Sequence, residues 1–485
     1  MKKNDLIELD ITKYAYEGKG IAKIPMEVKT EHQDTKELYA LQEEQKNFVI
    51  FVSGSYPGDK VLAMITKVKK SYAEARTVEI LKPSEERVTA GCKFFGVCGG
   101  CKQQDLNYES QLKYKQEQAL DILEHLGGFK DFEYQNIAPS ANIFYYRNKM
   151  EYSFADRRWL RKEEIDTDVE RNFALGLHLP NIYDKVLDID ECFLQSAGSN
   201  KILNFTREFF KQRNITIYST KTHSGYLRNL IIKKTHHSND LMVNLVTSGE
   251  NHELLTEYKN GLLEAVPEVT TVINNINEKM GQTAFGDYEI IYHGDGYIYE
   301  TIGGFKFRIS ASSFFQTNTL QAELLYKTAL DFGMINKNDV VYDLYSGAGT
   351  ISVYISNSAR EVFAFETVEA SVRDAESNRQ LNGVENVHFI TADLNRSFLQ
   401  IVDKNKIPEP NVIIIDPPRG GMNPVTIRDV VKLAPERIVY ISCNPATQVR
   451  DMKLFREEGY RLIKVKPVDM FPHTYHIESV ALLEK

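Results

Sequence analysis

Three hydrophobic patterns follow one another along the chain. Over roughly the first eighty residues apolar and polar positions alternate, as in KVLAMITKVKK from Lys60 to Lys70, between turn signals at EGKG and YPGDK. A period of two with β-branched residues and such turns predicts short strands closing into a small antiparallel, OB-like barrel. The stretch between its hairpin arms, centred on residues 28–46, is polar and charged and reads as an insertion. YESQLKYKQEQALDILEHLGG then reads as an amphipathic helix closed by Gly127 and Gly128.

From about residue 140 to 300 the pattern is mixed. RNKMEYSF and FALGLHLP predict strands, SNKILNFTREFFKQRN a helix, and LRNLIIKKT with DLMVNLVT a hairpin, so an α+β domain is expected. The last third changes again: DVVYDLYSGAGT, EVFAFE, VHFITA, NVIIIDPPRGG and RIVYISCNP are short apolar runs separated by helical segments. That alternation predicts an α/β, Rossmann-like, doubly wound parallel sheet, whose ligands bind at the carboxyl ends of the strands. The expected division is 1–88, 89–305 and 306–485.

Composition narrows the class. A chain of 485 residues is too long for one core, and 42% hydrophobic with 26% charged residues describes a soluble globular protein. MKKNDLIELD lacks the apolar stretch of a signal peptide and no run approaches membrane-spanning length, so a cytoplasmic address without membrane contact is expected. The net charge of -8 leaves any polyanion contact to local basic patches. Lys67, Lys69, Lys70 and Arg76 around Tyr72 form one stripe suited to phosphates and base stacking, although from the stripe alone a solvated strand face is the favoured reading. Arg147, Asn148, Lys149, Arg228 and Lys233 form a second group, with structural pairing as the alternative.

The cysteines divide into four and one. Cys92, Cys98 and Cys101 form C-x5-C-x2-C among glycines, Cys192 stands in DIDECFLQ, and Cys443 in ISCNPAT. So few cysteines argue against a disulfide framework. Four thiolates complete a zinc or iron-sulfur site on ligand count, ordinary buried thiols being the alternative, and Cys443 remains as the thiol available for chemistry.

Candidate chemistry clusters at predicted strand ends. DLYSGAGT is a strand followed by a glycine turn opening a helix, without the full dinucleotide fingerprint and without a P-loop lysine. Glu366 ends the next strand, where a carboxylate accepts both hydroxyls of a ribose, and Asp393 ends the third, in reach of an adenine edge. A nucleoside without phosphates, S-adenosylmethionine, fits this set; a generic nucleotide site and an empty scaffold are the alternatives. The fourth strand ends in Asp416-Pro417-Pro418-Arg419 and the fifth in Ser442-Cys443-Asn444-Pro445. A thiolate beside a methyl donor suits pyrimidine chemistry: addition at C6 of uracil makes C5 nucleophilic, and a base must later remove the C5 proton. HTYHIESV offers Glu478 for that base, with His473 and His476 as alternates.

Taken in order, C-x5-C-x2-C with a distant fourth cysteine, SFFQTN, DLYSGAGT, DPPRGG, SCNPAT and H-x-x-H-I-E-S-V resemble the RNA uracil-5-methyltransferase family. The likeness is strongest to its 23S rRNA (uracil-5-)-methyltransferases, which carry an N-terminal TRAM barrel and an iron-sulfur cluster. The resemblance implies a [4Fe-4S] cluster on Cys92, Cys98, Cys101 and Cys192 in the central domain. It implies S-adenosylmethionine contacts from Gln316, Tyr345, Glu366 and Asp416, with Cys443 as nucleophile and Glu478 as proton acceptor. The expected partner is 23S rRNA, with no protein partner implied. The runner-up is a tRNA T-loop uracil-5-methyltransferase; tRNA members are expected to resemble the chain mostly in its catalytic part. The Pro-Cys nucleophile and cytosine-binding Glu motif of DNA cytosine-5-methyltransferases are absent, and a noncatalytic RNA-binding or ribosome-assembly factor is the alternative from another class.

Overall fold

The computed structural model describes residues 1–25, 47–180, 182–281 and 286–485, so the charged insertion at 28–46 lies outside the described residues. The described chain separates into two compact units, 1–91 with 102–118, and 92–101 with 119–485.

In the first unit a six-stranded sheet runs in the order Leu6–Asp10, Lys60–Val68, Tyr72–Lys82, Asn47–Ser53, Lys19–Pro25, Lys13–Ala15. It is antiparallel except where Asn47–Ser53 lies parallel to Tyr72–Lys82. The alternation seen in the sequence is the cause: Val61, Ala63 and Ile65 point into a core with Ile50, Val52, Ala73 and Ala75. In the basic stripe Lys67 pairs with Glu74 at 3.5 Å, whereas Lys69, Lys70 and Arg76 are exposed.

The second unit holds two eight-stranded sheets. The central one runs Tyr288–His293, Thr271–Ile276, Leu241–Thr247, Leu227–Lys234, Lys149–Ala155, Ala174–Leu179, Ile182–Asp188, Arg158–Trp159. Helices Ala197–Gln212, capped by Ser196, and His252–Ala265, capped by Asn251, bury Ile202, Phe210, Tyr258 and Leu262 against it. The expected α+β character and the hairpin from Leu227 to Thr247 are present.

The second sheet runs Val387–Thr391, Glu361–Glu366, Val340–Leu344, Val412–Ile415, Arg437–Ser442, Glu478–Glu484, Arg461–Val468, Glu133–Tyr134. The first five are parallel, as the apolar runs predict. The expectation of a wholly parallel sheet is corrected at the sixth: Glu478–Glu484 is antiparallel to both neighbours. The reversal is possible because the segment 469–477 returns the chain directly beside Arg461–Val468, and antiparallel neighbours need no crossover helix. The order reverses between Val340–Leu344 and Val412–Ile415, which makes their carboxyl ends the switch point of the sheet.

Candidate active site

Cys443 follows the strand Arg437–Ser442, and Glu478 is the first residue of the antiparallel strand beside it. Because Ser442 pairs with Ser479, the register sets Cys443 opposite Glu478. Gln448 locks this register, donating to Tyr440 O (2.9 Å) while its Oε1 accepts from Ser479 Oγ (2.6 Å). Asn444 caps the helix Pro445–Glu457 directly after the thiol. Cys443 is half-buried, and its thiol is pushed up to about 11, by burial first and then by the negative charge of Glu478, with Arg419 opposing both. Glu478 is buried, and desolvation followed by Asp416 raises it well above the usual carboxylate range.

Arg419 is the functional residue that the sequence left without a role. Its positive charge favours the Cys443 thiolate, and its Nη2 lies 2.9 Å from His476 Nδ1. The Asp416–Gly421 loop is pinned to the helix after Cys443: Asn444 Nδ2 and Thr447 Oγ1 donate to Arg419 O (both 3.3 Å), and Arg450 Nη2 donates to Gly420 O (3.0 Å). Gly421 turns left-handed at φ 78, where a Cβ would stand 2.6 Å from Asp451 Oδ2. The signal available in the sequence was a cation three positions after a strand-end carboxylate.

Asp416 lies at the switch point, half-buried, with no hydrogen bond to its carboxyl group among the described residues. Desolvation pushes it up to about 7. Asp343, fully buried, is likewise pushed up to about 7, although Ser352 Oγ donates to it. Tyr345 takes a left-handed φ of 67, a strained setting for a side chain with a Cβ. Its phenol reaches Thr426 and the backbone of Asn423. Glu366 Oε2 accepts from Gly347 N at 2.9 Å, and its Oε1 accepts from Thr367 N (2.7 Å) and Val368 N (2.8 Å), so the acidic strand end and the glycine turn are joined. Asp343 Oδ1 and Ser346 Oγ are buried here without hydrogen-bond partners among the described residues, which suits a polar ligand over the turn. Asp393 instead is exposed, accepting from Asn395 N (2.9 Å) and pairing with Arg396 (3.3 Å).

Gln316 sits on a loop whose end is tied to the segment leading into Glu478: Asn318 Nδ2 donates to Met470 O (3.1 Å) and Gln321 Nε2 to Asp469 O (3.0 Å). Of the alternate bases, His473 is buried with its ring 4.4 Å from that of Phe144, and His476 faces Arg419.

The remaining cysteines gather elsewhere. Cys92, Cys98 and Cys101 are half-buried and pack against the same apolar cluster that contains buried Cys192. Cys192 lies in the turn after the strand Ile182–Asp188, not on a strand, its N–H donating to Asn200 Oδ1 at 2.9 Å. Tyr146 feels Cys101 and Cys192, and Tyr152 feels Cys192 and Cys98. Among the described residues, however, no three or more His, Cys, Asp and Glu side chains are arranged to hold a metal ion. No helix among them is long and apolar enough to cross a membrane.

The glycine turn, the acidic strand ends and the thiol facing a carboxyl group gather at the carboxyl ends of the parallel strands, where sheets of this kind bind ligands. Residues 297–485 match the tRNA (Uracil-5-)-methyltransferase family model and residues 2–78 the TRAM domain. An RNA methyltransferase of Chlorobaculum tepidum is 42% identical over 100% of this chain and 97% of its own length. One of Porphyromonas gingivalis is 40% identical over 90% of this chain and 95% of its own. The crystal structure of Pyrococcus abyssi tRNA (uracil-54, C5)-methyltransferase in complex with S-adenosyl-L-homocysteine matches with a TM-score of 0.72 and 26% identity. That match covers 98% of this chain and 99% of the other. The chain belongs to the RNA uracil-5-methyltransferase family, with a TRAM domain joined to an S-adenosylmethionine-dependent methyltransferase fold. The Pyrococcus enzyme is a tRNA member that matches beyond the catalytic part, over nearly the whole chain.

Proposed function

We propose that the protein methylates C5 of a uridine in 23S rRNA, with Cys443 as nucleophile and Glu478 as proton acceptor. The observation that carries the reading is the placement of Cys443 opposite Glu478 beside the switch point where Asp416 stands. S-adenosylmethionine, when bound, supplies an electrophilic methyl group. Gln316, Tyr345, Glu366 and Asp416 are the residues that would hold it. The Cys443 thiolate would add to C6, the C5=C6 π electrons would move to C5, and C5 would take the methyl group as its bond to the donor's sulfonium sulfur breaks and leaves the electron pair on that sulfur. Glu478 then accepts the C5 proton, and the C6–S bond breaks to restore the double bond and the thiolate. Arg419 serves both ends of this cycle by favouring the thiolate and tempering the basicity that burial confers on Glu478.

The 1–88, 89–305 and 306–485 division is part of this reading, the first segment engaging RNA in the cytoplasm. We also assign a [4Fe-4S] cluster to Cys92, Cys98, Cys101 and Cys192. What supports it is the donor chemistry of four thiols on one apolar cluster and the resemblance of their spacing; no catalytic step runs through it. A second reading, methylation of a tRNA T-loop, is favoured by the full-length match to the Pyrococcus tRNA enzyme. Methyl transfer from labelled S-adenosylmethionine to unmodified 23S rRNA and unmodified tRNA in parallel, with Cys443→Ala as control, tests both. Cys443-dependent 5-methyluridine in rRNA alone is the expected result; label in tRNA alone selects the second reading, and none in either removes the enzymatic assignment.

A further inference from the structure

The loop before the helix Thr319–Gly333 carries Gln316, and side chains of the central sheet hold it from two points. Lys233, only 4% exposed near the end of the strand Leu227–Lys234, donates from Nζ to Ser310 O at 2.7 Å and Ser313 O at 3.0 Å. On the neighbouring strand, where Lys149 pairs with Lys233, the preceding Asn148 grips the same loop. Its Nδ2 donates to Gln316 O (2.8 Å) and Thr319 Oγ1 (3.0 Å), and its backbone N–H to Thr317 O (2.8 Å). The Asn148 carbonyl accepts from Lys234 N at 2.8 Å, so the two grips are linked. Glu300, itself buried, adds a bond from Thr319 Oγ1 at 2.9 Å.

Burial, then the charge of Lys149, pushes the Lys233 amine down to about 7, because its hydrogen-bond partners are carbonyls that carry only partial charge. An apolar side chain of equal length would avoid that desolvation cost but would leave Ser313 O without its donor and Ser310 O with only the longer bond from Ser313 Oγ at 3.3 Å. The Lys233 amine is therefore matched to the chain's shape: it draws two carbonyls three residues apart toward one point and adds to the reciprocal Ser310–Ser313 bonds (2.9 and 3.0 Å) that close the turn leading to Gln316.

We propose that Lys233 and Asn148 are positioning residues for the cofactor site, through which the central sheet sets the Gln316 loop in its S-adenosylmethionine-binding geometry. The inference rests on the reading that Gln316 contacts the cofactor. Both residues act through Gln316, so their loss is expected to appear in cofactor affinity and KM, with kcat and RNA affinity little changed.

The test measures S-adenosylmethionine binding calorimetrically on purified full-length Lys233→Met, Gln316→Ala and the double variant, alongside RNA affinity. Lys233→Met should weaken cofactor binding by about tenfold, the scale of a charged hydrogen bond, and leave RNA affinity within about twofold. In the Gln316→Ala background the same change should cost less than about twofold more, because the group being positioned is gone. Full additivity, or an unchanged cofactor affinity in Lys233→Met, overturns the inference while leaving the role of Gln316 standing. A Gln316→Ala protein that binds S-adenosylmethionine normally overturns both. Should Lys233→Met not fold, Asn148→Ala at a half-exposed position gives the same two readings.

Discussion

The Cys443 thiol and the Glu478 carboxyl group face each other across an antiparallel strand pair, and the charge of one opposes ionisation of the other. Cys443 is thus held as a thiol in the unliganded protein, pushed up to about 11. Alkylation of the Cys443 peptide by iodoacetamide, followed by mass spectrometry, should rise about tenfold per pH unit from roughly pH 8 to 10. Glu478→Gln removes the opposing charge and should speed the reaction at fixed pH, whereas Arg419→Ala should slow it.

Truncating the nucleophile and truncating the base stop the cycle at different places. Cys443→Ala should lower kcat by at least about 10⁴-fold. Glu478→Gln should complete the methyl transfer but fail to release the product. A covalent RNA–protein band on a denaturing gel is expected for Glu478→Gln; a variant that turns over without such a band assigns the proton to another group, with His476 next in line.

Asp416 couples stability to the cofactor site. Burial raises it from 3.8 to about 7, so the folded chain binds more protons than the unfolded chain across that window, and stability falls as pH rises from about 4 to about 7. Asp416→Asn removes the desolvated charge. At pH 8 its ligand-free Tm should exceed that of the parent by about 2–5 °C, allowing for the partial exposure of the group. The gain should vanish near pH 4, and S-adenosylmethionine binding should weaken at either pH.

Gly349 turns left-handed at φ 77, and a Cβ there would stand 2.5 Å from the Phe389 ring. Gly349→Ala combines backbone strain with a ring clash, on the order of 2–4 kcal/mol. Thermal unfolding should shift down by roughly 3–5 °C in a unit of this size, a loss that added S-adenosylmethionine does not restore.

Iron analysis and visible absorbance test the four thiols. Anaerobically purified protein should be brown, and Cys101→Ser should lose both colour and iron. A colourless parent with stoichiometric zinc and full activity removes the cluster assignment.

Much of the candidate site was legible because each chemical group sits at a position that local pattern alone marks. Glu366, Asp416 and Cys443 each follow an apolar run of strand length, and Gly347 and Gly349 occupy a turn that needs positive φ. Asp393 follows the same strand-end pattern, and in the structure it is exposed, accepts from Asn395 N and pairs with Arg396. Arg419 went without a role because its importance comes from contacts with residues distant in sequence, Cys443 and His476.

The chain's local patterns were enough to establish which segments are strands, where the turns fall and which side chains stand at strand ends, because periodicity and turn chemistry act over a few residues. They could not establish strand direction. In an all-parallel sheet Glu478, at the start of its strand, would lie at the opposite edge from Cys443, which follows the end of its own. Reversal of Glu478–Glu484 between two neighbours brings the pair together. That reversal is a property of long-range pairing and burial, as are the desolvation that raises Glu478 and the reach of Lys233 to the Gln316 loop. Hydrogen-bond registers and dielectric surroundings exist only once distant segments have packed, so no window of sequence contains them.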